Sequence, residues 1–281
     1  MTPVPVPDLA ECPPVPDPSN AAPPTASREG TPGRLIAIAS GKGGVGKTWF
    51  AITLAHALAQ DGRRVLLFDG DLGLANVDIQ LGLTPERDLT AVLAGTASLA
   101  EIVLRHASGG FDILPGRSGS GALAGTDRAS LDRVLAALRA VASGYEAVLL
   151  DLGAGLEPPV RQLAAAADTL LVLATEEPTS LTDAYAVLKL HAADRPGGDA
   201  RVVVNQAGTP AGGARTYAAL RRAALAFLRR DPPLLGIVRR DEKVRETLRR
   251  QALLLTRHPD CAAADDMRAL ARRLSGEVAG R

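Results

Sequence analysis

Ser40-Gly-Lys-Gly-Gly-Val-Gly-Lys-Thr48 is the stretch from which the fold can be read. From Gly41 to Thr48 it satisfies G-x-x-x-x-G-K-[ST], the phosphate-loop pattern. Gly41, Gly43, Gly44 and Gly46 admit backbone angles closed to other residues and let N–H groups approach phosphate oxygens. Lys47 can reach the β and γ phosphates, and the Thr48 hydroxyl stands where it can ligate Mg²⁺. Val45 and Trp49 complete the expected phosphate-binding set. Working outward, Arg34 to Ala39 is a short apolar run suited to a buried strand. Thr48 to Gln60 repeats Ile52, Leu54, Ala55, Leu58 and Ala59 at helical spacing. A loop joining a strand to a helix N-terminus meets exposed N–H groups and the positive end of the helix dipole, and both favour anions. An ordinary glycine turn would not have strand and helix in register on either side.

Two further strand ends carry carboxylates. Val65 to Phe68 ends in Asp69-Gly70-Asp71, and the C-terminal end of a strand projects into the crevice where open α/β sheets bind ligands. That position suggests metal or water handling. Ala147 to Leu150 is followed by Asp151 and then Gly153-Ala-Gly155, a Walker-B-type arrangement in which the carboxylate holds Mg²⁺ and the glycines free the next loop. Many buried strands end in aspartate, so the pattern is weak alone; about a hundred residues after a phosphate loop it becomes strong. Asn205 closes a further strand, Arg201 to Asn205, and on local grounds can cap a turn there. Strands alternating with helices predict an α/β fold, a doubly wound and mostly parallel sheet.

The rest of the chain fills in around this frame. Residues 84 to 110 read as short helices, the second opened by a Ser98-x-x-Glu101 capping box. Phe111 to Leu114 and Thr169 to Ala174 read as strands, and a helix starts at Pro159. Thr126 to Ala142 is an amphipathic helix with Leu131, Val134, Leu135, Leu138 and Val141 on one face. Ser180, with Asp183 three residues later, reads as the N-cap of another. Cys261 to Leu274 places Met267, Leu270, Ala271 and Leu274 on one stripe, expected to dock on the core rather than enter lipid.

Composition sets limits on function. Residues 1–33 hold ten of the 20 prolines and almost nothing large and apolar, which predicts a disordered or extended tail, with a partner-binding arm as the alternative. Residues 34–275 are expected to form one domain and 276–281 a flexible C-terminus. A formal net charge of +1 argues against a uniformly basic nucleic-acid binder. Between Arg215 and Arg257, around a Leu234 to Val238 strand, twelve basic residues stand against four acidic ones. A solvated face is the default reading of that excess; anionic lipid, DNA or an acidic partner are the alternatives. Cys12 and Cys261 form no C-x-x-C, which speaks against a disulfide framework or zinc. No secretory signal follows Met1 and no apolar run reaches the ~18 residues of a bilayer span, so a cytoplasmic location is expected, with the membrane surface as a site to visit.

The loop holds two of only four lysines in a chain with 28 arginines, so a compact ammonium rather than a guanidinium is wanted at Lys42. In this form, G-K-G-G-V-G-K-T resembles the deviant phosphate loop of the MinD/ParA family of dimerising ATPases. The resemblance implies a P-loop NTPase fold, ATP and Mg²⁺ as cofactors, and slow, switch-like hydrolysis. It also implies a homodimer formed on ATP binding, in which Lys42 reaches the nucleotide held by the partner subunit. Asp69-Gly-Asp-Leu-Gly-Leu-Ala-Asn-Val-Asp78 is similar to the family's D-x-D-L-G-L-x-N-x-D segment. By that similarity Asp71 orients the attacking water and joins Lys42 and Lys47 in catalysis, Thr48, Asp69 and Asp151 form the metal set, and Asp78 belongs to the switch region. Asn205 corresponds to an asparagine that hydrogen-bonds adenine, and Pro115-Gly116-Arg117-Ser118-Gly119 to a loop near the nucleotide.

Glu177-Pro-Thr-Ser-Leu-Thr-Asp-Ala-Tyr-Ala-Val-Leu-Lys189 looks like a segment of the flagellar-number regulators of the FlhG/FleN type within that family. The implied function is a switch that sets flagellar number or placement. The implied partners are a signal-recognition-type GTPase, a flagellar switch protein or a transcriptional activator. Departures from the family pattern are Gly70, Leu152 in place of a hydroxyl residue, and Val238-Arg239-Arg240-Asp241, which lacks the proline of I-P-x-D. Rival readings are a DNA-segregation ATPase using 215–257 as its DNA face, a cell-division placement ATPase, an iron–sulfur scaffold, against which the missing C-x-x-C counts, and a nucleotide binder without hydrolysis.

Overall fold

Alternation within β1 (Arg34–Ser40) sets up both layers of the molecule, since Leu35, Ala37 and Ala39 face one core and Ile36 and Ile38 the other. A strand buried on both faces reads as a continuous apolar run, and this one does. The computed structural model describes residues 33–71, 73–116 and 127–278. The expected tail up to residue 32, Arg117 to Gly119 of the nucleotide-side loop, Thr126 and residues 279–281 lie outside them.

Eight strands form one sheet in the order β3 (Leu104–His106), β4 (Phe111–Leu114), β2 (Val65–Gly70), β5 (Ala147–Ala154), β1, β6 (Thr169–Ala174), β7 (Asp199–Ala207) and β8 (Leu234–Arg239). Every neighbouring pair is parallel except β3 with β4. The order β2-β5-β1 makes neighbours of the three strand ends that carry the phosphate loop and the aspartates, although they lie far apart in sequence. It also places the phosphate loop where chain order departs in both directions from a central strand, the crevice position of open α/β sheets.

Helices cover both faces. α4 (Arg128–Ala142), α5 (Pro158–Ala166), α6 (Pro178–Asp194) and α7 (Pro210–Ala223) pack on one, and α1 (Lys47–Gln60), α2 (Val77–Leu81), α9 (Leu254–Arg257) and α10 (Ala262–Val278) on the other. Met267, Leu270, Ala271 and Leu274 of α10 are all buried, so its apolar stripe docks on the core as expected. Each large side chain buried this way contributes about 1.5–3 kcal/mol. α3 (Leu89–Leu93) and α8 (Glu242–Arg249) are short and capped by Asp88 and Asp241.

Three local expectations are corrected. Residues 84–110 hold α3 and a 3₁₀ turn at Ala100–Ile102, but also strand β3, which pairs antiparallel with β4 at the sheet edge. The Ser98 and Glu101 capping box does form: Glu101 Oε2 accepts from Ser98 N and Oγ, both at 2.7 Å. α4 starts at Arg128 with Asp127 as its cap. Ser180 is not an N-cap. Pro178 occupies the first helical position, where its fixed φ suits the helix, so Glu177 is the cap residue, and Ser180 Oγ instead accepts from Thr175 N at 2.9 Å.

Candidate functional site

The N-terminus of α1 is built to meet an anion. Its cap is Gly46, left-handed at φ 84°, and no side chain caps the helix, which leaves first-turn N–H groups for a ligand. A Cβ at Gly46 would also come within 2.9 Å of Asn205 Nδ2. At the other end of the loop a Cβ on Gly41 would lie 2.6 Å from both Cβ and O of Asp183, so the loop rests directly on the first turns of α6. The segment Glu177–Lys189 is therefore a neighbour of the phosphate loop, which composition gives no means of foreseeing.

The expectation that all four loop glycines supply backbone angles closed to other residues is corrected. Gly44, at φ 81°, and Gly46 are left-handed, whereas Gly41 and Gly43 are not. Gly41 is required by its contact with Asp183 instead. Gly43 has no such neighbour, since a Cβ there would meet nothing within 4 Å. Neither backbone conformation nor packing within the chain asks for a glycine at Gly43, and the physical reason that is left for one is room for a ligand to approach the main chain.

β7 holds the loop from the far side. Asn205, only 1% exposed, donates through Nδ2 to Val45 O at 2.8 Å, and Gln206, at φ 55°, donates through Nε2 to Gly44 O at 3.2 Å. The contact found for Asn205 is thus with the loop backbone. Gln206 was not foreseen, and its only sequence signal is that it follows Asn205. The Trp49 side chain is packed in the core, its indole N–H without a partner among the described residues, so its side chain does not reach the loop surface.

The carboxylates converge below the loop. Asp69 and Asp151 are register partners on β2 and β5. Asp69 accepts from Asn76 N and Val77 N at 3.0 Å and from Asp71 N at 3.3 Å, so its carboxylate anchors the start of α2. Asp71 Oδ1 accepts from Gly73 N at 3.2 Å and Leu74 N at 2.9 Å. Asp151 lies close enough to Thr48 for the hydroxyl to favour its charged form, while its Oδ1 is buried without a partner among the described residues. Burial pushes the Asp69 carboxyl well above the usual range, and the Asp151 charge beside it adds to the shift. Burial raises Asp151 likewise, against the opposing pull of Thr48 and Lys47. Burial lowers Lys47, opposed by the charges of Asp151 and Asp71.

Asp69, Asp71 and Asp151 crowd around one ammonium, and burial disfavours the charged forms of Asp69 and Asp151 unless a further cation is present. An orphaned buried oxygen on Asp151, beside the Thr48 hydroxyl, fits a hard divalent cation that takes oxygen ligands. A cleft of about 980 Å³ opens beside Asp71, lined by Gly70, Gly153, Glu157, Leu131 and Leu135. Lys42 stands apart from this group. Its ammonium donates to the Glu177 carboxylate and, at 3.0 Å, to Thr179 Oγ1. Arg239, where a proline was expected, turns to Asp266 of α10 at 2.8 Å. Gly116 lies against Asp69, whose Cγ would be 3.2 Å from a Cβ there, while Pro115 O accepts from Leu89 N at 3.1 Å.

Among the described residues no helix is long and apolar enough to cross a membrane. The family described as the CobQ/CobB/MinD/ParA nucleotide binding domain matches residues 36–254. The chain is 36% identical to the antiactivator FleN of Pseudomonas aeruginosa over 86% of each chain. It is 32% identical to the flagellum site-determining protein YlxH of Helicobacter pylori over 68% of this chain and 64% of that one. Among solved structures, the septum site-determining protein MinD of Pyrococcus horikoshii complexed with Mg-ADP superposes with a TM-score of 0.72 at 26% identity, covering 87% of this chain and 98% of that one.

Proposed function

Because the chain belongs to the CobQ/CobB/MinD/ParA nucleotide-binding family and is an ATPase, we propose that it is an ATP-dependent dimerising switch that sets flagellar number or placement. The observation that carries the nucleotide reading is the uncapped α1 N-terminus above a buried Lys47 and an orphaned Asp151 oxygen. Lys47 and the loop amides from Gly43 to Thr48 hold the β and γ phosphates of ATP. Thr48 and Asp151 hold Mg²⁺, with Asp69 beside them fixing the switch backbone. Mg²⁺, when bound, supplies charge to offset that of the phosphate oxygens. Asp71, its rotamer fixed by two backbone N–H groups, orients the attacking water in the cleft at Gly153. Asn205 and Gln206 keep the loop in its phosphate-binding shape, and by the family resemblance Asn205 also meets the base.

In the dimer Lys42 leaves Glu177 and meets the nucleotide of the second copy. The flagellar reading is supported by the 177–189 segment and by similarity to FleN and YlxH. Its partner would be a signal-recognition-type GTPase, a flagellar switch protein or a transcriptional activator, met in the cytoplasm or at the inner face of the membrane.

The test pairs two substitutions. Lys47→Ala should abolish ATP binding in calorimetry, whereas Lys42→Ala should bind ATP yet neither dimerise in gel filtration nor turn over. A Lys42→Ala protein that dimerises and hydrolyses normally would remove the role in trans. Unchanged flagellar counts in cells carrying Lys47→Ala would remove the flagellar reading.

A further inference from the structure

From Pro210 through Arg230 the chain carries Arg215, Arg221, Arg222, Arg229 and Arg230 and no aspartate or glutamate. α7 runs into a π-helical turn, Ala224–Leu228, closed by Arg229 in the left-handed region at φ 52°. Such turns are rare in helices and recur at functional sites. On this one Phe227 is 77% and Leu225 42% exposed, and Phe227 is the most exposed large hydrophobic among the described residues. Arg221 is paired with Asp231 at 2.6 Å, while among the described residues Arg222 and Arg229 have no ion pair. Behind the turn lies a cavity of about 210 Å³ lined by His191, Arg195, Asp199, Leu228 and Arg230. His191 is 6% exposed and neither of its ring nitrogens has a partner among the described residues. A buried polar group left this way calls for an occupant that hydrogen-bonds.

Two facts identify the occupant. Gly33, the first described residue, bonds Ala142 O at 3.1 Å, and from the next position the Arg34 guanidinium reaches across β6 to Asp199 of the cavity lining at 2.9 Å, so Gly33 and this site lie at the same end of the sheet. Residues 1–27 carry Asp8, Glu11 and Asp17, no lysine or arginine, and the apolar Val4, Val6 and Leu9. The acidic, apolar segment is thus complementary to a helix and turn, Pro210 to Arg230, that carry five arginines, no acidic residue and an exposed phenylalanine, with Asp199 and Asp231 as the acidic groups of the cavity behind them. About twenty residues separate Cys12 from Gly33, and such a length can span up to roughly 70 Å.

We propose that residues 4–17 of the same chain dock on the π turn. Val4, Val6 and Leu9 cover Phe227 and Leu225, Asp8, Glu11 and Asp17 meet Arg222, Arg229 and Arg230, and one carboxylate enters the cavity to accept from His191. The contact belongs to the face of α6 and α7 and leaves the nucleotide site untouched, so it stands or falls separately from the switch reading.

The experiment uses the full chain with Cys261→Ser and a fluorescent dye on Cys12. In low salt the dye should show slow tumbling relative to a labelled synthetic peptide of residues 2–20. Anisotropy should fall toward the peptide value in about 0.5 M salt, where the Debye length shrinks to roughly 4 Å. It should fall equally in Arg222→Glu/Arg229→Glu and in Phe227→Ser, with unchanged melting temperature because those side chains are exposed. Peptide-like anisotropy in the unsubstituted chain at low salt overturns the proposal. So does anisotropy that rises with protein concentration, which would move the segment to a second copy. Co-sedimentation of a chain with a freely tumbling dye on phosphatidylglycerol vesicles, lost in Phe227→Ser, would overturn it in favour of a lipid surface.

Discussion

Lys42 and Glu177 are joined across the edge of the phosphate loop, the ammonium donating to the carboxylate and to Thr179 Oγ1 at 3.0 Å. The bond to Lys42 holds the Glu177 carboxyl below its ordinary range. A lysine held on its own subunit is not at the nucleotide of another, so the pair must open before Lys42 can act in trans. Glu177→Gln should therefore favour the ATP-bound dimer, and because exposed pairs are weak the gain is up to about fivefold in the dimerisation constant. Sedimentation over a concentration series reads it. An unchanged constant would mean that the pair persists in the dimer.

Asp71→Ala separates mechanism from binding. Loss of a group that orients water should slow turnover by at least about a hundredfold while nucleotide affinity changes little. The variant should persist as a dimer through gel filtration in Mg²⁺-ATP, where the unsubstituted chain relaxes to monomer. If Asp71 only shapes the turn through Gly73 and Leu74, melting temperature and affinity fall together instead.

Asn205→Ala removes the bond that fastens Val45. Leaving a buried carbonyl unpaired costs about 1–3 kcal/mol, which calorimetric unfolding should register along with weaker nucleotide binding. A role at the base predicts a different pattern. Preference for ATP over GTP would then collapse with stability nearly intact.

His56, buried in α1, gives the chain an acid-sensitive step. Burial, with His106 and Arg268 adding to it, pushes its pKa down to about 4. Between its unfolded value near 6.5 and that folded value, the unfolded state binds the extra proton, so stability is lost as pH falls through this window. The loss is up to about 3 kcal/mol at the acid end. His56→Gln should flatten the melting temperature between pH 7 and pH 4.5, and an equal acid slope in both proteins would assign the step to another group.

The phosphate loop, its strand and its helix were legible because all the determinants lie within one continuous segment, where glycine spacing, apolar run and helical period confirm one another. Which of those glycines the backbone needs was not legible: Gly43 and Gly44 are adjacent and identical in sequence, and only Gly44 turned out left-handed. Strands β4 and β6 were legible to the residue, since each is a short, wholly buried run that is apolar but for Asp112 and Thr169. β3 was not. It has three half-buried or exposed residues and exists only through pairing with β4, and no period can form over so few positions. At α6 the local rule favoured Ser180 as the cap, but Pro178 fixed the helix start earlier and freed the Ser180 hydroxyl for Thr175.

Within the site, residue types announced the chemistry and the tertiary structure decided who touches whom. Lys47, Thr48 and Asp151 follow from motifs, since phosphate and cation chemistry restricts which side chains can serve. That Asp69 spends its oxygens on α2, that Asn205 and Gln206 fasten the loop, and that Lys42 is held by Glu177 depend on the sheet order β2-β5-β1-β6-β7. Sequence distance carries no information about that order, because it is set by which apolar faces bury one another, and a hydrogen bond spanning 160 residues exists only after they have.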